Sequence, residues 1–282
     1  MKPVSWTRAL ARLPMGIYRH GALGYAKGAS YSALLSFFPV FAVTTAVLFE
    51  ADSPEMARRV ASLLYSVSPP EVEQLLRSWF TEHITHPQSL RVAAVLLSLW
   101  AASGVTTTLI EAFNAAYEKA DTRGAVHQFA IQIVLVLLSL LPAVGATALI
   151  LLGDWVETYL LQSLGVLGTD TMFRPGIRIF GQLVRYAVAL SCICLVTTML
   201  YWLGPDVKGR RKLLPGALLA TALWLALTQA FAWYVRNFGN YDLLYGSVGA
   251  VVAFLVWMYL LALVAMIGCE FNAALDRSTR KG

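Results

Sequence analysis

Residues 248–271 read Val-Gly-Ala-Val-Val-Ala-Phe-Leu-Val-Trp-Met-Tyr-Leu-Leu-Ala-Leu-Val-Ala-Met-Ile-Gly-Cys-Glu-Phe, with no charged side chain before Glu270. A hydrocarbon core about 30 Å thick is crossed by roughly 20 apolar residues in a helix, so this stretch predicts a transmembrane helix. Five more segments meet the same test, at 26–49, 92–113, 129–152, 183–204 and 215–235. Lipid cannot hydrogen-bond an open backbone, and a barrel needs short strands of alternating polarity, which these continuous runs do not show. The predicted fold is an all-α integral membrane protein, a single membrane domain over 1–282 built as a bundle of six transmembrane helices. Composition agrees: 58% of the 282 residues are hydrophobic and 13% charged, where soluble domains carry about a quarter charged.

Charge sets the expected orientation. Lys2, Arg8, Arg12, Arg19 and Lys27 accompany the start of the first span, Lys119 and Arg123 follow the second, Lys208, Arg210, Arg211 and Lys212 follow the fourth, and Arg277, Arg280 and Lys281 follow the last. The opposite side carries Arg58, Arg59, Arg77, Arg91, Arg174, Arg178 and Arg236. Fourteen bases against seven place both termini in the cytoplasm by the positive-inside rule. The net charge of +6 is thereby assigned to topology and anionic headgroups, and no nucleic-acid partner is expected. Bases continue to Lys27 and no small-residue cleavage site follows a short apolar core, so the first span is expected to stay in the mature protein. Cys192 and Cys194 lie two apart on one apolar helix and Cys269 lies on another, which makes neither a disulfide framework nor a zinc knuckle. No cofactor and no metal are expected.

Outside the spans, residues 50–91 read as two amphipathic helices broken at Ser68-Pro69-Pro70, an exterior hairpin that either lids a cavity or covers helix ends. Residues 1–25 place Trp6, Leu10, Leu13 and Ile17 at helical spacing among three arginines, which predicts an interfacial helix on the cytoplasmic leaflet. Residues 272–282 are expected as a cytoplasmic tail. Pro39 and Pro142 each remove a backbone donor inside a span and predict kinks, whereas Pro215 fits the first position of its helix. Gly24, Gly28, Ser32 and Ser36 on span one, and Ala94, Ser98, Ala102 and Thr106 on span two, form seams for close helix packing.

Ser103, Thr107, Glu111 and Asn114 share one face of span two and its cytoplasmic end. With Lys27, Gln128, Gln132, Glu270 and Asn272 on neighbouring helices they point to an inward-facing vestibule, while Gln182, Arg185, Gln229 and Arg236 lie toward the exterior ends. Apolar middles between two polar groups suit two gates of a transporter. The plainer reading is that charges near helix ends snorkel to the interface or pair locally.

The last third of the chain carries Leu214-Pro215-Gly216-Ala217, Phe231-Ala232-Trp233-Tyr234, Tyr245-Gly246-Ser247-Val248-Gly249, Trp257-Met258-Tyr259 and Gly268-Cys269-Glu270-Phe271-Asn272. With Ser32–Pro39 and Phe113–Tyr117, these motifs closely resemble the YihY/virulence factor BrkB family. The resemblance covers essentially the whole chain and implies a six-helix bacterial inner-membrane protein, in a group where some members carry a ribonuclease BN name. Only His20, His83, His86 and His127 are present, and only His83 and His86 have ligand-like spacing, on an exterior loop that cannot meet cytoplasmic RNA. The chain is therefore read as not an enzyme.

Two functions are expected in turn. The first is transport of a lipid or other amphiphile, with Glu111, Asn114 and Glu270 binding substrate and Arg185 as an exterior anion contact. The second is an envelope scaffold acting through the hairpin and basic loops. Membrane lipids are the expected partners, with a homo-oligomer or an envelope protein left open.

Overall fold

Gly21 adopts φ +67°, a left-handed conformation that glycine takes at no steric cost and that ends a helix. It divides the N-terminal chain into α1, Trp6–Arg19, and α2, Ala22–Glu50. The computed structural model describes residues 6–50, 88–138, 174–207, 209, 212–238 and 248–280. The expected hairpin beyond Glu50, Pro142, Tyr245 and Gly246 lie outside the described residues, as do the side chains of Pro39 and Arg185.

The further helices are α3, Gln88–Ala116; α4, described over Ala125–Leu138; α5, Arg174–Leu203; α6, Leu214–Phe238; and α7, Val248–Arg280. No strand occurs among the described residues. α2 runs on through Pro39. α5 begins nine residues before its expected span and α7 runs nine residues beyond its own, so residues 272–280 continue the last helix rather than leaving it as a tail.

Among the described residues two segments are long and apolar enough to cross a bilayer, Leu214–Tyr234 in α6 and Val251–Ser278 in α7. Only 22% of each apolar window is buried, whereas the core helix of a soluble domain would bury most of it. Leu218, Leu225, Trp233, Val252 and Val256 face outward instead, and Leu35, Trp100, Leu137 and Leu195 do the same on the other long helices. Apolar surface of this extent needs an apolar solvent.

α7 is the shared element, in contact with α1, α2, α3 and α6. α2 and α3 run antiparallel, with Gly28 beside Thr108 and Ser32 beside Gly104. The seam thus uses Gly104 and Thr108 of α3, and Gly24 faces open space. The core is built of small side chains, Ala22, Ala26, Ala112, Ala116 and Ala217, around Phe113, Tyr201, Met266 and Cys269. Phe113 and Tyr201 meet edge to face at 5.3 Å.

α6 and α7 approach each other backbone to backbone. A methyl group on Gly216 would overlap the Gly268 carbonyl oxygen, and one on Gly268 would overlap both the Gly216 carbonyl oxygen and the Tyr201 hydroxyl. Tyr201 is wholly buried and donates to the Ala265 carbonyl at 2.6 Å, which ties α5 into the same crossing. Gly216→Ala and Gly268→Ala are each expected to destabilise the protein by about 1–3 kcal/mol through overpacking, read as a lower melting temperature in detergent. Gly24→Ala, on an open face, is expected to leave that temperature unchanged or higher.

Candidate functional site

α7 carries Gly268, Asn272 and Asp276 at intervals of four, and Glu270 and Arg277 seven apart. At 3.6 residues per turn the first three share one face and the other two share the opposite one. The C-terminal part of α7 therefore reaches in two directions at once.

On the first face, Asn272 is wholly buried. Its Oδ1 accepts from the Gly216 N–H at 2.7 Å and its Nδ2 donates to the Leu213 carbonyl at 2.9 Å. The Leu213 carbonyl opens α6 by accepting from the Ala217 N–H at 3.2 Å, yet a leucine has no side-chain oxygen with which to cap the helix. Asn272 supplies that cap from another helix. Pro215 occupies the second helical position, one residue beyond the expected first, where its missing N–H is equally harmless. One turn further along α7, Asp276 accepts from the Lys212 N–H at 3.1 Å and from the Tyr117 hydroxyl at 3.5 Å.

On the second face, the Glu270 side chain is 5% exposed. Arg277 Nη2 donates to its Oε1 at 2.7 Å and His20 Nδ1 donates to its Oε2 at 2.9 Å. Both carboxylate oxygens of a buried acid are thus satisfied by a cation and an imidazole. Arg277 Nη1 also donates to the Ala116 carbonyl at 2.8 Å, closing the C-terminus of α3, where a cation is favoured. Gly16 makes room on α1, since a methyl group there would overlap the Glu270 carboxylate.

Glu118 completes the group, 3.5 Å from His20 Nε2 and 3.8 Å from Arg277 Nη1. These are ion-pair distances, and His20 Nε2 is buried without a hydrogen bond. The Glu118 backbone has φ +54°. Its N–H bonds the Ala115 carbonyl at 2.9 Å and the Lys119 N–H bonds the Asn114 carbonyl at 3.0 Å, the left-handed closure that glycine usually provides. A residue with a Cβ adopts that conformation at a cost of roughly 1–2 kcal/mol, and its carboxylate is what glycine would lack.

A third network clasps two loops. Asn114 Oδ1 accepts from the Asp206 N–H at 2.7 Å, and its Nδ2 donates to Asp121 Oδ2 at 3.3 Å. Asp121 pairs with Arg123 at 2.6 Å, and Arg123 donates to the Leu203 and Gly204 carbonyls at 3.1 and 2.6 Å, closing the end of α5. Asp206 accepts from the Thr122 hydroxyl at 2.6 Å and from the Thr122 N–H at 3.0 Å. The hydrogen bond from Arg123 holds the Asp121 carboxyl below its ordinary value against the effect of burial, and the bonds from Thr122 do the same for Asp206.

Of the residues expected along a pathway, Glu270 and Asn272 lie on opposite faces of α7, Asn114 belongs to the loop clasp, and Gln132 is buried on α4. Lys27, Glu111 and Gln229 are exposed. The Ser103 and Thr107 hydroxyls donate back to the Trp100 and Ser103 carbonyls of their own helix at 2.6 and 2.7 Å. Pro215 and Trp257 are half-buried and Gly216 is buried. His20, Glu118, Asp121, Asp206 and Tyr201 were not singled out, and Arg123 and Arg277 counted only as charges. The seven-residue interval of Glu270 and Arg277 and the four-residue intervals from Gly268 were the available signals. Among the described residues no three His, Cys, Asp or Glu groups stand together as metal ligands.

At the other end of the same helix pair, α6 and α7 leave a cavity of about 390 Å³ between Leu227, Phe231 and Tyr234 on one side and Gly249, Val252 and Val256 on the other.

Outward-facing apolar helices, tied at one end by buried polar side chains, define a helical membrane protein. The chain belongs to the virulence factor BrkB family, whose model matches residues 16–282. Its relatives include a ribonuclease-like protein, YfkH, of Bacillus subtilis, 24% identical over 88% of each chain. A UPF0761 membrane protein of Alkalilimnicola ehrlichii is 24% identical over 98% of this chain and 60% of its own length. Another from Alteromonas mediterranea is 23% identical over 88% of this chain and 81% of its own. The chain thus spans only about six-tenths of the Alkalilimnicola protein. No solved structure matches it.

Asn272→Leu strands the buried Gly216 N–H and leaves the Leu213 carbonyl with the Ala217 N–H as its donor, and is expected to cost about 1–3 kcal/mol, measured by thermal unfolding in detergent. For the loop clasp, both carboxyls sit below their ordinary value of 3.8. Their contribution is whole above that value and is lost as pH falls through the lower native ones. The stability gap between the wild type and an Asp121→Asn/Asp206→Asn variant is expected to be flat from about pH 7 to about pH 5 and to shrink below about pH 4.

Proposed function

We propose that this chain is a translocator of a lipid or another amphiphile in the bacterial inner membrane, with six helices crossing and both termini cytoplasmic. In this reading the polar ties of α7 close the cytoplasmic end, and the cavity between α6 and α7 seats an acyl chain. The cavity carries the reading. It is walled almost wholly by apolar atoms, and its volume falls among pockets of roughly 300–1,000 Å³ that hold small ligands. Tyr234, Val252 and Val256 on its wall are also exposed to the surroundings, and for an apolar surface in a bilayer those surroundings are acyl chains.

The ribonuclease-like name of YfkH is not carried over. The part-buried Arg277 and Arg123 are committed to helix-end carbonyls, and the buried Glu270 and part-buried Asp121 to pairing with them, and the cavity offers walls rather than acids or bases. We read the chain as a non-enzyme in which these charges hold a closed state.

The test is movement of a fluorescent short-chain phospholipid between leaflets of vesicles holding the purified protein, followed by chemical quenching of the outer leaflet. Movement is expected to exceed that in protein-free vesicles. Ala230→Trp and Ala253→Trp, which fill the cavity away from the polar ties, are expected to slow it at least about tenfold while keeping the melting temperature. Rates equal to those of protein-free vesicles, or unaffected by either tryptophan, would overturn the proposal.

A further inference from the structure

α1 presents two unlike surfaces. Ala9 and Leu13 are buried against Phe271, Ala274 and Leu275 of α7, the Trp6 ring meets that of Phe271 at a tilt with centroids 5.6 Å apart, and Gly16 and His20 meet Glu270. These contacts fix how the helix is turned. Leu10, Met15 and Tyr18 are left facing out, Met15 at 70% and Tyr18 at 80% exposure. Arg12, Arg19 and, at the start of α2, Lys27 are exposed with them.

No aspartate or glutamate occurs before Glu50, while five lysines and arginines do. The outer face of α1 therefore carries bases and no acid of its own, interleaved with large apolar side chains, and the exposed Glu118 lies past its end beside His20. A water-exposed face gains nothing from Met15 and Tyr18, and a buried protein interface would strand the arginines. A headgroup layer accommodates both, because apolar side chains enter the acyl boundary while guanidinium groups meet phosphate.

We propose that α1 is a docking helix for anionic phospholipid headgroups, in the leaflet at the end of the bundle where α6 and α7 are pinned. Charge complementarity selects the occupant. A zwitterionic surface gives the bases no net attraction, and a nucleic acid gives Leu10, Met15 and Tyr18 no apolar phase to enter. Since α1 is seated on α7 through Glu270, bound lipid also steadies the crossing. The docking face stands whether or not the chain moves lipid.

The experiment uses the full-length protein in a neutral detergent, titrated with water-soluble short-chain phosphatidylglycerol or phosphatidylcholine and followed by melting temperature. Phosphatidylglycerol is expected to raise the melting temperature and phosphatidylcholine to leave it in place. Arg12→Gln/Arg19→Gln should melt like the wild type without lipid, because both side chains are exposed, and should need roughly thirty-fold more phosphatidylglycerol, each base near an anionic surface contributing about fivefold. Met15→Ser/Tyr18→Ser is expected to weaken the response as well. Equal responses to the two lipids overturn the proposal, as does an unchanged response in the arginine variant. A response to a short RNA in place of phosphatidylglycerol overturns it too.

Discussion

At the start of α6 the Gly216 N–H is buried where α6 has no side chain of its own to meet it, beside a part-buried Leu213 carbonyl that has room for a second donor. Unpaired, that N–H would cost on the order of 1–3 kcal/mol, and more in an apolar medium. Asn272 satisfies both, but a short amide reaches them only if α7 lies almost against α6. That requirement removes the side chains at 216 and 268. It leaves the space into which Tyr201 is drawn from α5 to find its acceptor on α7. A backbone debt at one helix end thus sets the spacing of three helices.

The same solution recurs at two more helix ends. The last carbonyls of α3 receive Arg277 and those of α5 receive Arg123, and in both cases a cation meets the negative end of the helix dipole. Each cap comes from outside the helix it closes, two from α7 and one from the loop after α3, so the end of one helix becomes an anchor for another part of the chain. Acids then balance the cations, Glu270 for Arg277 and Asp121 for Arg123. Association driven this way suits helices whose outer surfaces are apolar, since lipid contributes little hydrophobic force to bring them together.

Hydropathy located the helices because an uncharged run of some twenty residues has few other meanings. It was blind to their ends. Asp276 and Arg277 read as tail because charge lowers hydropathy, yet they are helical and turned inward on α7. The motif ending in Glu270 and Asn272 marked the right segment, but two residues two apart on a helix point in nearly opposite directions, so they do not face one space. His20 and Glu270 are 250 residues apart in sequence, and no local pattern predicts such a pair. The φ of Glu118 was equally hidden, because a glutamate gives no sign of a left-handed backbone.

Pinning two helices at one end and parting them at the other makes a pair of tweezers with its rivet at Gly216 and Gly268. From that rivet α6 extends to Phe238, an arm of about 33 Å at 1.5 Å per residue. A tilt of only about 5° about the glycines would carry the tip of such an arm about 3 Å. Any change of angle at the rivet is thus magnified along the arm and is greatest near the apolar pocket at its far end.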